Sequence, residues 1–159
     1  MISMKLAGDA YRRMKRAAQV AEATIKGAVR KASSRVVRQA KINARQTLNT
    51  TGQSKGFLSR SITTSDVPGR GVRDFAQAVG PTAIYGRIHE FGGVIKPVKA
   101  ERLMWRAPDG SFRTAMSVTI PARPYLKPAL ETVQPQIEDD MRKALTYMFN
   151  DTGGGGGVE

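Results

Sequence analysis

Between Leu6 and Leu48 the chain has no proline, and Leu6, Ala10, Met14, Ala17, Ala21, Ile25, Val29, Ala32, Val36 and Ala40 recur every three or four residues. That spacing draws one apolar stripe along a helix, with Gly27 and the pair Ser33 and Ser34 as the places for a bend. Run straight, about 43 residues at ~1.5 Å each reach roughly 65 Å. A compact domain of this length is only about 40 Å across. Such a helix overhangs its own domain, so the stripe folds back at the bend or is covered by a neighbouring subunit. The second solution is the more economical, and it predicts an oligomer.

The same segment carries the charge. Residues 1 to 48 hold Lys5, Arg12, Arg13, Lys15, Arg16, Lys26, Arg30, Lys31, Arg35, Arg38, Lys41 and Arg45 against Asp9 and Glu22, most of the chain's net +13. A field segregated in this way suits a polyanionic partner, either nucleic acid or an acidic protein surface. Lys31, Arg35, Arg38 and Arg45 share roughly one face, with Arg12, Arg16 and Arg30 as further candidates for phosphate contact. No aromatic side chains are interleaved with them, so single-strand or sequence-specific binding has little support. Solvated charge on a long helix remains the plain alternative, because Lys and Arg are good helix formers.

After a polar stop at "NTTGQSKG" (49 to 56), "FLSRSITTSDV" and "DFAQAVGP" read as two strands joined at "PGRG". "AIYGRIHEFGG" puts Ile84, Ile88 and Phe91 on one face of a short helix that two glycines end. "RLMWRA" and "FRTAMSVTI" flank a hairpin turn at Pro108, Asp109 and Gly110. The last helix has a core-facing stripe of Leu126, Leu130, Val133, Ile137, Met141, Leu145 and Met148; Pro128 suits its first turn, whereas Pro135 should kink or break it. The fold class is therefore α+β: an antiparallel sheet of four or five strands packed by a long N-terminal and a C-terminal helix, with a short helix in the middle. One domain is expected over residues 1 to 150, followed by a flexible tail, "DTGGGGGVE".

Catalytic chemistry finds little purchase. The chain has no cysteine and one histidine, His89, and adjacent His89 and Glu90 diverge by about 100° on a helix, too far to share an ion. No nucleophile elbow occurs, and neither "GRG" nor the glycine run is followed by the Lys and Ser/Thr of a phosphate loop. Glu138, Asp139 and Asp140 are expected on a solvated helix face. No enzyme activity, metal or cofactor is expected. No stretch of about 18 apolar residues occurs, and basic residues interrupt the N-terminus where a signal peptide stays apolar, so a soluble chain with no membrane partner is expected.

Three segments taken in order, "GFLSRSI" (56 to 62), "YGRIHEFGGVIKPVKAERLMW" (85 to 105) and "ARPYLKPALE" (122 to 131), resemble the tail-completion or neck-protein family of long-tailed bacteriophages. The resemblance rests on Leu58, Ser61, Ile62, Tyr85, Glu90, Phe91, Gly92, Arg123, Pro124, Tyr125 and Pro128. The chain departs from the pattern at Gly93, where the family often has Thr, and in its long basic first helix. The resemblance implies a ring, a hexamer, that caps the tail tube and joins it to the head connector while DNA passes through. Its partners would be copies of itself, the head connector or head-closure protein and the tail tube protein, with non-specific contact to genomic DNA. Its place would be the virion neck, after assembly in the host cytoplasm. It further suggests a tie between Glu90 and Arg123, and core positions for Phe91 and Tyr125. The other readings are a free nucleic-acid-binding protein using the basic helix, and a head-closure or minor tail subunit.

Overall fold

The computed structural model describes residues 2–48, 56–68 and 75–153. Its elements are α1 (Ile2–Leu48), α2 (Phe57–Ser61), β1 (Ile62–Pro68), β2 (Phe75–Pro81), α3 (Gly86–Phe91), β3 (Gly93–Ile95), β4 (Leu103–Arg106), β5 (Phe112–Ala115), β6 (Val118–Ile120) and α4 (Leu126–Gly153). The long first helix is one element of 47 residues, with no interruption at Gly27 or Ser33. Ser33 is absorbed because its hydroxyl donates to the Val29 carbonyl one turn back, 2.9 Å away. Of the expected tail 151–159, the first three residues belong to α4, whose backbone hydrogen bonding carries the helix past Asn150; residues 154–159, the linker 49–55 and most of the "PGRG" turn lie outside the described residues.

The chain divides into two compact units. The first comprises Met1–Arg35, Ser65–Ala78 and Val133–Glu159; the second comprises Val36–Thr64 and Val79–Thr132. The second unit holds the core of Ala40, Ala44 and Leu48 from α1, Leu58 from α2, Ile62 from β1, and Tyr125 and Ala129 at the start of α4. On α1 the buried apolar positions are Ala28, Ala32, Val36, Ala40, Ala44 and Leu48, a strict spacing of four that advances about 40° around the helix at each step. Of the expected stripe Ala32, Val36 and Ala40 are therefore buried, Val29 is half-buried, and Met14 and Ile25 are exposed, while Ala28, outside that stripe, is buried.

Four expectations are corrected. "FLSRS" is helix α2, not strand. A strand would have put Arg60 on the same face as Leu58 and Ile62. The helical turn instead brings Leu58 and Ile62, four apart, into the core together. The hydroxyls of Ser59 and Ser61 accommodate that turn by donating to the Gly56 and Leu58 carbonyls.

The strands, second, form three two-stranded pairs among the described residues: β1 with β2, β3 with β6, and β4 with β5. The last two pairs are nested antiparallel, Gly93 opposite Ile120 and Leu103 opposite Ala115. Residues 96–102 separate β3 from β4, whereas only Met116 and Ser117 separate β5 from β6. Unequal limbs put the two registers out of step, and the ladder is interrupted between the two pairs. The turn itself is as expected: Gly110 has φ 85°, and Asp109 Oδ1 accepts from both the Ser111 N–H and its hydroxyl.

In the third case, α4 continues through Pro135. The carbonyl of Glu131, which loses its partner there, belongs to an exposed residue that solvent reaches. Lastly, Leu130 and Leu145 are about half exposed, while Ala129 is fully buried. Ala129 follows Tyr125 by four residues, so the same face that buries the tyrosine buries the alanine.

Candidate functional site

The sequence before α4, "ARPY", offers no Ser, Thr, Asp or Asn to cap the helix, and the first turn of α4 contains no acidic residue. A helix start leaves four backbone N–H groups without intrahelical partners. Here Glu90, reaching from α3, replaces the missing cap. Its Oε2 accepts from the N–H of Tyr125 (2.8 Å) and Leu126 (2.9 Å), and its Oε1 from that of Lys127 (3.0 Å). The fourth position is Pro128, which has no N–H to satisfy. The account closes, and the positive end of the α4 dipole gains an anion. Glu90 is buried, so these bonds are shielded from competing water.

Tyr125 is the centre of this junction. It is 0% exposed, and its hydroxyl donates to the Gly86 carbonyl (3.2 Å) while its own carbonyl accepts from Asn43 Nδ2 (3.2 Å). Burial first, and then the Glu90 charge, push its phenol up to about 12. Two glycines make the close approach possible. A Cβ on Gly86 would lie 2.2 Å from Pro81 Cγ, and one on Gly92, at φ 70°, would lie 2.8 Å from the Ala122 nitrogen. Arg123 closes the other side: its N–H donates to the His89 carbonyl at 2.7 Å. Among the described residues no ion pair joins Glu90 to Arg123: the main chain of Arg123 bonds His89, and the Glu90 carboxylate serves the start of α4.

The remaining motif residues fall around the same place. Leu58 and Ile62 are core. Ser61 presents its carbonyl to the Thr82 N–H (3.0 Å), fixing the chain that leads into α3. Tyr85 sets its ring edge-on to His89, with centroids 5.9 Å apart. Pro124 is exposed, and Pro128 is half-buried in the first turn of α4. Phe91 is not a core anchor: it is 74% exposed. The inward position of this short helix is taken by Glu90, and the next residue points about 100° away. Ile84 on the expected face is likewise exposed.

The basic residues of α1 do not act as one free face. In the first unit, Asp140 accepts from Lys31 (2.9 Å) and from Arg35 Nε (2.9 Å), and Arg35 also reaches Gln136 at 3.0 Å. The hydrogen bond from Lys31 foremost, with Arg35 beside it, holds the Asp140 carboxyl below its ordinary range against the opposing effect of partial burial. Asp140 is thus a clamp for α1, not solvated surface charge. Arg30 stands 5.6 Å from the Phe75 ring centre. Arg12, Arg16, Arg38 and Arg45 have exposed side chains. Asp140 and Gly86 were missed in sequence; the spacing of "YGRIHEFG" carried a signal for Gly86, but nothing local marked Asp140 apart from Asp139.

The description "phage virion morphogenesis family" matches residues 4–146. The chain belongs to this family. No curated protein and no solved structure matches the chain. The family match spans all three motif segments and both units, so the capped junction belongs to a phage structural and assembly protein. Among the described residues no helix is long and apolar enough to cross a membrane.

Proposed function

We propose that this virion morphogenesis protein is a ring subunit at the head-tail junction, a hexamer that caps the tail tube and joins it to the head connector, with DNA passing through. The observation that carries the reading is the convergence of the three resembling segments on one junction: Ile62 and Leu58, Glu90, and Tyr125 with Pro128 meet in a single unit. A segment order shared with neck proteins gains weight when its residues complete one another's hydrogen bonds. Exposed apolar side chains at Phe91, Ile84, Met104 and Phe112 supply surface that neighbouring subunits would cover.

Deleting the gene and imaging the particles by electron microscopy tests this. Filled heads separate from tails, or tails of uncontrolled length, are expected; intact particles with normal tails would overturn it. The free nucleic-acid-binding reading is weaker, since Lys31 and Arg35 are already engaged by Asp140.

A further inference from the structure

In the second unit a cavity of about 300 Å³ lies between the end of α1, α2, the start of α3 and the segment before α4. Its apolar walls are Leu48, Phe57 and Tyr85, and its polar walls are Arg45, Arg123 and His89. Neither Arg45 nor Arg123 takes part in an ion pair among the described residues, whereas the cations at Lys31 and Arg35 both do. His89 Nδ1 is buried in this wall with no hydrogen-bond partner. Burial, and secondarily Arg123, lower the imidazole's proton affinity, so the positive charge facing the cavity belongs to the two guanidiniums.

We propose that this recess is a docking pocket for an acidic peptide segment of a partner protein, a carboxylate side chain next to an apolar one. With no ion-pair partner among the described residues, the two guanidiniums leave this recess positive, and a guanidinium's planar set of donors suits a carboxylate. Beside them the exposed rings of Phe57 and Tyr85 offer the apolar surface that a neighbouring aliphatic side chain would cover. A duplex offers a poorer fit: its phosphates lie on a convex, hydrated rod that cannot enter a recess of this size, and apolar walls contribute nothing to them. The pocket is separate from the Glu90 cap, and the proposal does not depend on the ring reading, since peptide binding is measured on the purified protein and not on particles.

The test is a titration of the full chain with the blocked peptide Gly-Leu-Glu-Gly, with Gly-Leu-Gln-Gly and a random DNA duplex as the other arms, followed by NMR. The Glu peptide is expected to shift the His89 and Tyr85 ring signals, with at least tenfold weaker binding in the doubly substituted R45Q/R123Q chain and no saturable binding of the Gln peptide. Urea unfolding of that variant separates lost binding from lost fold; Phe57→Ser, at an exposed position that spares both guanidiniums, should weaken the Glu peptide as well. Equal binding of the two peptides, Glu-peptide binding unchanged in the folded double variant, or shifts of these rings by the duplex alone would each overturn the proposal.

Discussion

Glu90 Oε2 lies 2.8 Å from the backbone nitrogen of Tyr125, 35 residues further along the chain. One side chain of a six-residue helix thereby starts a 28-residue one. The cap is supplied in tertiary structure because the local sequence has none, and four measurable consequences follow from the way the junction and the α1 clamp are built.

Glu90→Ala removes the acceptor of three buried N–H groups and should destabilise the chain by about 2–4 kcal/mol in urea unfolding, with Glu90→Gln costing less because one amide oxygen remains. The interaction is between a carboxylate and a helix end, so exchanging Glu90 and Arg123 should not restore stability. Recovery in the double exchange would mean that the tie is an ion pair after all.

Gly86→Ala and Gly92→Ala should each cost about 1–3 kcal/mol, by different routes. The first drives a methyl group into Pro81 and toward the Tyr125 hydroxyl; the second combines a positive φ with a clash against the Ala122 backbone. Thermal midpoints within a degree of the parent for both variants would show that the junction relaxes freely.

Tyr125 predicts an alkaline limit. Its phenol is held up to about 12 in the folded chain, against about 10 when unfolded. The folded state therefore keeps its proton more tightly, and the resulting stability is complete below pH 10 and disappears as pH rises from about 10 to 12. Tyr125→Phe should cost about 1 kcal/mol at neutral pH for the lost bond to Gly86 and should flatten this part of the profile. Parallel curves for the two chains between pH 9 and 12 would contradict it.

Asp140 predicts an acid limit. Its carboxyl is held below its ordinary value of 3.8 by Lys31 and Arg35, so the folded state releases the proton more readily. That stabilisation is present above about pH 4 and is lost as pH falls through the lower folded value. Asp140→Asn should weaken the chain at neutral pH, and the gap between the two should close on acidification. A gap that persists at pH 2 would assign the effect to packing.

Periodicity and punctuation in the chain were enough for much of the fold. A proline-free stripe wrote α1, a Pro-Asp-Gly turn wrote the β4–β5 hairpin, and Gly92 ended α3 as expected. Periodicity failed where two patterns competed for the same residues. At "FLSRSI" both a strand and a turn of helix are compatible with the residue types, and only the need to bury Leu58 and Ile62 together, with Arg60 outside, selects the helix. The exposed Phe91 and the half-exposed Leu130 are failures of the same kind: hydrophobicity says a side chain prefers burial, not which neighbour has already taken the place.

By itself the sequence determined the α+β class, the concentration of positive charge on the first helix, the short helix closed by glycine, and a motif order shared with phage neck proteins. Those properties are local, set by spacing along the chain and by the backbone freedom of Gly and Pro. Only the tertiary structure decided that Glu90 caps α4, that Lys31 and Arg35 are held by Asp140 while Arg45 and Arg123 line a cavity, and that Gly86 is required by Pro81. Each of these joins residues tens of positions apart, and an unpaired carboxylate or guanidinium looks the same in sequence whatever it will meet. Its partner is chosen by which buried N–H groups or charges the fold leaves unsatisfied.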